Sequence, residues 1–161
     1  MTLLREYTNL HKVNFTFDLE IKVFITGSTG FLGKYVSLHF SNEGYETKSP
    51  SRDELIIELV DNRNIDILIH SAGKAHSTKN TKEETQAFFE VNYELTKRIT
   101  ATIDQNKIEL NTFVFISTVA VYGLEEGFDI NEETELNGNS PYAQSKKWLR
   151  SIFRNGRKRV E

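Results

Sequence analysis

A strand that runs into three evenly spaced glycines, and then into a helix, constrains this chain more than any other stretch. Val23, Phe24 and Ile25 are β-formers in a short apolar run. Gly27, Gly30 and Gly33 follow at every third position. Phe31, Leu32, Val36 and Phe40 then recur at helical spacing, with Lys34, Ser37 and Ser41 between them. Strand, glycine turn and helix in that order form the context in which a glycine pattern marks a dinucleotide site. Glycines let the backbone turn tightly and approach a pyrophosphate closely. The helix N-terminus offers that anion unpaired N–H groups and the positive end of a dipole. Without those flanks the same glycines would read as a turn before an ordinary packed helix.

Downstream, strand and helix patterns alternate. The first helix is predicted over Phe31–Asn42, stopping near Gly44, and a second strand over Tyr45–Ser49. NAD sites place an acid at the end of that strand to bind the ribose 2′-hydroxyl. Here Ser51 and Arg52 stand where the acid is expected, and a hydroxyl beside a guanidinium suits a 2′-phosphate better. NADP is therefore favoured slightly, and neighbouring Asp53 keeps NAD open. Asp53–Asn62 reads as a short helix that Asp53 can cap. Ile65–His70 reads as a third strand, ending in the small residues Ser71, Ala72 and Gly73 before Lys74. Small residues at such a strand end are where an open α/β sheet receives its ligand. One long helix is expected from Thr81 or Lys82 to Gln105, with Phe88, Val91, Leu95, Ile99 and Ile103 on its buried stripe. Phe113–Ser117 is a fourth strand, Gly123–Asn139 a loop, and Pro141 opens a final helix. This alternation predicts an α/β fold with a parallel sheet and helices on both faces.

Tyr142 and Lys146 are four apart and share one face of that last helix. A cation beside a phenol favours the phenolate, which can take a hydroxyl proton while hydride leaves the same carbon. The spacing recurs at Tyr93 and Lys97, so context must choose. Tyr142 follows Ser117 and Thr118, which close a central strand on the ligand side; Tyr93 lies in mid-helix. Thr118 can hydrogen-bond a substrate hydroxyl. His70 and His76 have no partners at metal-ligand spacing and read as ordinary polar residues, so no metal site is expected. Nothing resembles a nucleophile elbow or a zinc-protease motif.

The 161 residues suggest one domain with a real core, preceded by an extension over 1–20 in which Val13, Phe15, Phe17 and Leu19 alternate with polar residues. Cys is absent, which fits a reducing, cytoplasmic compartment. The N-terminus lacks the apolar core of a signal peptide, and no apolar run approaches the ~20 residues of a membrane helix. Seven of the 20 basic residues lie from Lys146 onward. Without aromatic interleaving, and behind an acidic body, that tail reads as a solvated terminus rather than a nucleic-acid arm.

Taken together, five stretches make a recognisable series: Thr26–Gly33, Ser71–Gly73, Val91–Asn92, Ile116–Gly123 and the Tyr142/Lys146 pair. The chain resembles the extended short-chain dehydrogenase/reductase family, the NAD-dependent epimerase/dehydratase group, over about Ile21–Leu149. The resemblance implies a Rossmann fold over 21–161 and a nucleotide-sugar substrate. It also implies roles. Tyr142 is the acid/base, Lys146 holds the nicotinamide ribose, and Thr118 orients the reacting hydroxyl. Gly27, Ser28, Thr29, Gly30, Phe31, Leu32 and Gly33, with Ala72, Gly73, Lys74, Asn92 and Ser117, line the cofactor. The chain departs from the family in lacking the second-strand acid, in a short Asp53–Ile65 segment, and in Arg150, where Glu is common. It also ends soon after the last helix, where family members add strands and a substrate region, so a truncated, catalytically silent chain is expected. Trp148, Leu149, Ile152 and Phe153 would then lie partly exposed, a patch that favours association, and a homodimer is one form to expect. A non-catalytic dinucleotide-binding module is the alternative reading.

Overall fold

A computed structural model describes residues 21–76 and 81–149, with the backbone of the last helix as far as Gly156. The proposed extension over 1–20 lies outside the described residues. The elements run β1 (Lys22–Thr26), α1 (Phe31–Asn42), β2 (Glu46–Lys48), α2 (Leu55–Asp61), β3 (Asn64–His70), α3 (Lys82–Phe88), a π-helical segment (Phe89–Glu94), α4 (Leu95–Asn106), β4 (Glu109–Phe115), a 3₁₀ turn (Val119–Tyr122) and α5 (Pro141–Gly156). The strands form one parallel sheet in the order β2-β1-β3-β4. The chain is thus the Rossmann-type α/β fold that its alternating patterns predict.

Period-two alternation in β1 divides the core between the sheet's faces. Phe24 joins Leu68 under α2 and α4, where Leu55, Leu59, Leu95 and Ile99 pack. Val23 and Ile25 join Ile69 on the opposite face, under Val36 and Phe40 of α1. Each fully buried Leu or Ile contributes roughly 1.5–3 kcal/mol, so both faces anchor β1 and β3. Their C-terminal ends, paired at Thr26 and His70, are held side by side.

The structure differs from the sequence expectations in four places, each for a local reason. β4 begins at Glu109 rather than Phe113. Lys107 takes a left-handed backbone at φ 50°, turning the chain so that Glu109 pairs at once with Asn64, and Asn111 donates to Asp66 across the two strands. Asp53 does not cap α2. α2 has no side-chain cap at all, and the turn before it is closed by Ser51: its Oγ accepts the Glu54 N–H while the Glu54 carboxylate receives the Ser51 N–H and O–H, the reciprocal pair of a capping box. The long helix is interrupted at Phe89–Glu94, where i→i+5 bonding widens the turn. Val91 is then only half-buried, and polar Asn92 is fully buried in the stripe with Phe88, Leu95 and Ile99. Leu149, expected on the exposed patch, is fully buried, whereas Trp148 is 53% exposed. The side chains of Ile152 and Phe153 lie outside the described residues.

Candidate functional site

The C-terminal ends of β1, β3 and β4 meet the first turns of α1 and α5 at one edge of the sheet. The glycine turn is the tightest part. Gly27 has φ 74°, and a Cβ there would lie 2.6 Å from the Ala72 backbone. A Cβ on Gly33 would lie 2.1 Å from the Gly27 carbonyl oxygen. Gly30 donates to that same oxygen at 2.9 Å. The turn therefore closes on itself and packs directly on the loop after β3, where Ser71 Oγ donates to the Thr26 carbonyl. α1 begins at Gly30 with no side-chain cap, so its first N–H groups face outward without an internal competitor. These are the features a pyrophosphate cradle requires. Ser28 is half-buried and Thr29 exposed on the turn, and Phe31 (86% exposed) and Leu32 stand on its outer lip. Gly33 is buried beneath it, where close packing is its contribution.

Lys146 reaches the same edge from α5. It is 4% exposed. Its Nζ donates to the Ile116 carbonyl at 3.0 Å and lies 4.7 Å from the Phe115 ring centroid. A Cβ on Gly73 would come within 3.2 Å of that Nζ and 3.0 Å of Asn92 Oδ1. The ammonium is thus wedged between the ends of β3 and β4. Burial pushes its pKa from the usual 10.5 down to about 8. The sign follows: between these values the unfolded chain binds a proton the folded chain does not, so stability rises with pH. Relative to Lys146→Met, the wild type is expected to gain up to about 3 kcal/mol between pH 8 and pH 10.5. Chemical denaturation of both proteins across that range checks this; a constant difference would show that the ammonium is well solvated.

Tyr142 lies in the first turn of α5, half-buried, its ring 6.0 Å from that of Phe88. Thr118 follows β4; its Oγ1 accepts the Ala120 N–H and starts the 3₁₀ turn. That leaves its hydroxyl proton available. Ser117 is exposed beside it. The other Tyr–Lys pair belongs to the outer surface. Lys97 is paired with exposed Glu94 and lies 5.8 Å from the Tyr93 ring, which in turn packs edge-on against Trp148.

Two buried polar residues complete the edge. Asn92 accepts the Lys74 N–H and donates to the Lys74 carbonyl and to Ser145 Oγ. Ser145 in turn donates to the Tyr142 carbonyl. The Lys74 side chain pairs with Glu84 at 2.9 Å. His70, read from sequence as an ordinary polar residue, is fully buried between Thr26 and Thr96. Burial first, and the Lys146 charge second, push its pKa down to about 3, so it is neutral. The visible signal for both was a pair of polar residues, Asn92 and Thr96, four apart on an otherwise apolar stripe. Ser51 and Arg52 are exposed at the end of β2, and no ion pair among the described residues takes Arg52. Among the described residues no cluster of three His, Asp or Glu could hold a metal, and no helix is long and apolar enough to cross a membrane.

Residues 23–159 match the family model described as the NAD dependent epimerase/dehydratase family. A curated relative, the decarboxylating sterol-4-alpha-carboxylate 3-dehydrogenase of Dictyostelium discoideum, is 28% identical over 141 residues, 74% of this chain and 40% of that protein. Among solved structures, the UDP-glucose 4-epimerase of Thermus thermophilus with NAD gives a TM-score of 0.69 at 24% identity, covering 83% of this chain and 50% of that one. The UDP-glucose 4-epimerase of Bifidobacterium longum with NAD⁺ and UDP gives 0.70 at 23% identity, covering 86% and 50%. The chain spans about half the length of these structures. The family match runs from β1 through the glycine turn to α5 and takes in every residue of the edge just described: the chain belongs to the NAD dependent epimerase/dehydratase family.

Proposed function

We propose that this chain forms the dinucleotide-binding and acid/base part of an NAD(P)-dependent oxidoreductase that acts on a secondary alcohol of a nucleotide sugar. The observation that carries this reading is the buried Lys146 ammonium, held between the ends of β3 and β4 one helical turn after Tyr142. Gly27, Ser28, Thr29, Gly30 and the N-terminus of α1 would hold the pyrophosphate, with Phe31 and Leu32 at its edge and Gly33 allowing the approach. Ala72, Gly73, Lys74, Asn92 and Ser117 would border the rest of the cofactor. Bound NAD or NADP supplies the acceptor for the hydride that leaves the alcohol carbon. Tyr142 takes the hydroxyl proton as that carbon is oxidised. Lys146, on the same helix face as Tyr142, would hold the nicotinamide ribose. Thr118, its oxygen occupied by Ala120, donates its free proton to the substrate oxygen. Reversal on the other face gives epimerisation, and loss of water from the keto sugar gives dehydration.

The nucleotide-sugar substrate is supported by the solved epimerases, which carry UDP-sugars in their names. The Dictyostelium relative supports a second reading, the same oxidation on a sterol-type alcohol. The absence of Cys supports a cytoplasmic location, and the exposed Trp148, edge-on to Phe89 and Tyr93, supports a homodimer.

Cofactor choice is expected to follow Arg52. Calorimetric titration should give tighter binding of NADP(H) than of NAD(H), and Arg52→Ala should narrow the gap by about tenfold, the worth of one exposed charge-assisted contact to phosphate. Tighter binding of NAD(H) by the wild type would overturn the role given to Arg52. No binding of either dinucleotide would overturn the cofactor reading itself. In a protein extended to the length of these relatives, turnover of UDP-glucose, with none of a 3-hydroxysterol, would decide between the two substrates.

A further inference from the structure

His70 is fully buried, titratable and unused by the reaction just described. Its neighbours determine its state without reference to any titration. Thr96 Oγ1 donates to the Asn92 carbonyl at 2.7 Å, so it receives its bond from His70, and Nε2 carries the proton. Thr26 Oγ1 accepts the Ala72 N–H at 3.2 Å, so its own proton is free for Nδ1, the unprotonated nitrogen. The result is one directional chain. It runs from the Ala72 N–H through Thr26 to His70, and from His70 through Thr96 to the Asn92 carbonyl. Every donor in it has an acceptor.

The two ends of this chain belong to different parts of the site. Thr26 ends β1 and leads into Gly27. Asn92 clamps Lys74 and, through Ser145, the Tyr142 carbonyl in the first turn of α5. We propose that His70 is a positioning residue: as the neutral Nε2–H tautomer it ties the glycine turn to the Asn92–Ser145 clamp on the helix that carries Tyr142 and Lys146. The proposal rests on reading that edge as the cofactor and catalytic site. Side chains with only a donor or only an acceptor cannot do this, because Thr26 and Thr96 make opposite demands. Asn in place of His70 can accept from Thr26 but does not reach Thr96; Gln reaches Thr96 but leaves Thr26.

The test uses the ¹⁵N-labelled 161-residue chain. In the wild type, imidazole ¹⁵N resonances should show an unprotonated Nδ1 and a protonated Nε2. His70→Asn should shift the amides of Asn92, Ser145 and Lys146 while leaving Gly27 and Ala72 near their wild-type positions; His70→Gln should do the reverse. Both variants should bind NADH and NADPH about tenfold more weakly than the wild type, the effect of one buried hydrogen bond left unmade. Ile99→Val, a core change of similar stability cost, should leave those affinities unchanged. A protonated Nδ1 overturns the proposal. So do shifts confined to residues touching His70, or affinities that match those of Ile99→Val. If the wild type binds neither dinucleotide, the cofactor reading fails instead, and the tautomer and the two opposite shift patterns still decide the role of His70.

Discussion

In a protein extended to the length of its relatives, Tyr142→Phe is expected to lower kcat by about 10²–10⁴, the usual worth of a positioned acid/base, and Tyr93→Phe to leave kcat nearly unchanged. The two tyrosines have the same local sequence logic, each with a lysine four residues on. Their surroundings differ. Lys146 is buried at the sheet's edge, anchored on the Ile116 carbonyl beside Ser117 and Thr118. Lys97 is 58% exposed by side chain and pairs with Glu94 across solvent. A cation in water is screened; a desolvated one acts strongly on charge that develops beside it. Loss of the Tyr142 hydroxyl removes the proton acceptor and leaves its ring contact with Phe88 in place, so the variant should fold and bind cofactor as before. Steady-state rates on UDP-hexoses, beside NAD(P)H titrations of both variants, separate the effects. Equal losses at the two positions would refute the assignment of Tyr142.

Gly33→Ala is expected to destabilise the fold by about 3 kcal/mol and to abolish dinucleotide binding. An alanine Cβ would stand 2.1 Å from the Gly27 carbonyl oxygen and 2.6 Å from Ser71 Oγ. Both contacts are far inside van der Waals distance, and the nearer is with backbone, which cannot rotate away. The Gly27 carbonyl also accepts the Gly30 N–H, so relief of the clash opens the turn itself. Gly44→Ala is the control. Gly44 ends α1 at φ 86° with no atom near a built Cβ, so that change costs only the left-handed backbone, about 1–2 kcal/mol, and leaves binding intact. Urea unfolding and NADH fluorescence titration of both variants measure the contrast. Full binding by Gly33→Ala would show that the turn is not the cofactor cradle.

Local chemistry was enough to read α1 and its end. Apolar spacing, the glycines before it and Gly44 after it all act within a few residues, and the helix spans Phe31–Asn42 as that pattern predicts. The capping box at Ser51 and Glu54 is equally local and visible in the spacing, whereas Asp53, between them, caps nothing. The π-helical segment was not legible. Period 3.6 assigns Val91 to the stripe, and only the partners waiting on Lys74 and Ser145, 18 and 53 residues away in the chain, make the wider turn worth forming.

The alternation of short apolar runs with amphipathic helices, and the glycines after the first run, determined by themselves that this chain folds as a parallel α/β sheet with a tight glycine turn ahead of α1. Those features depend on side-chain period and on the steric freedom of single residues. The rest was decided by tertiary structure. Burial, not spacing, separates Lys146 from Lys97. Burial again turns His70 from an ordinary polar residue into a neutral bridge, because a side chain in the middle of a sheet has no water to serve its two nitrogens and must find Thr26 on one strand and Thr96 on a distant helix.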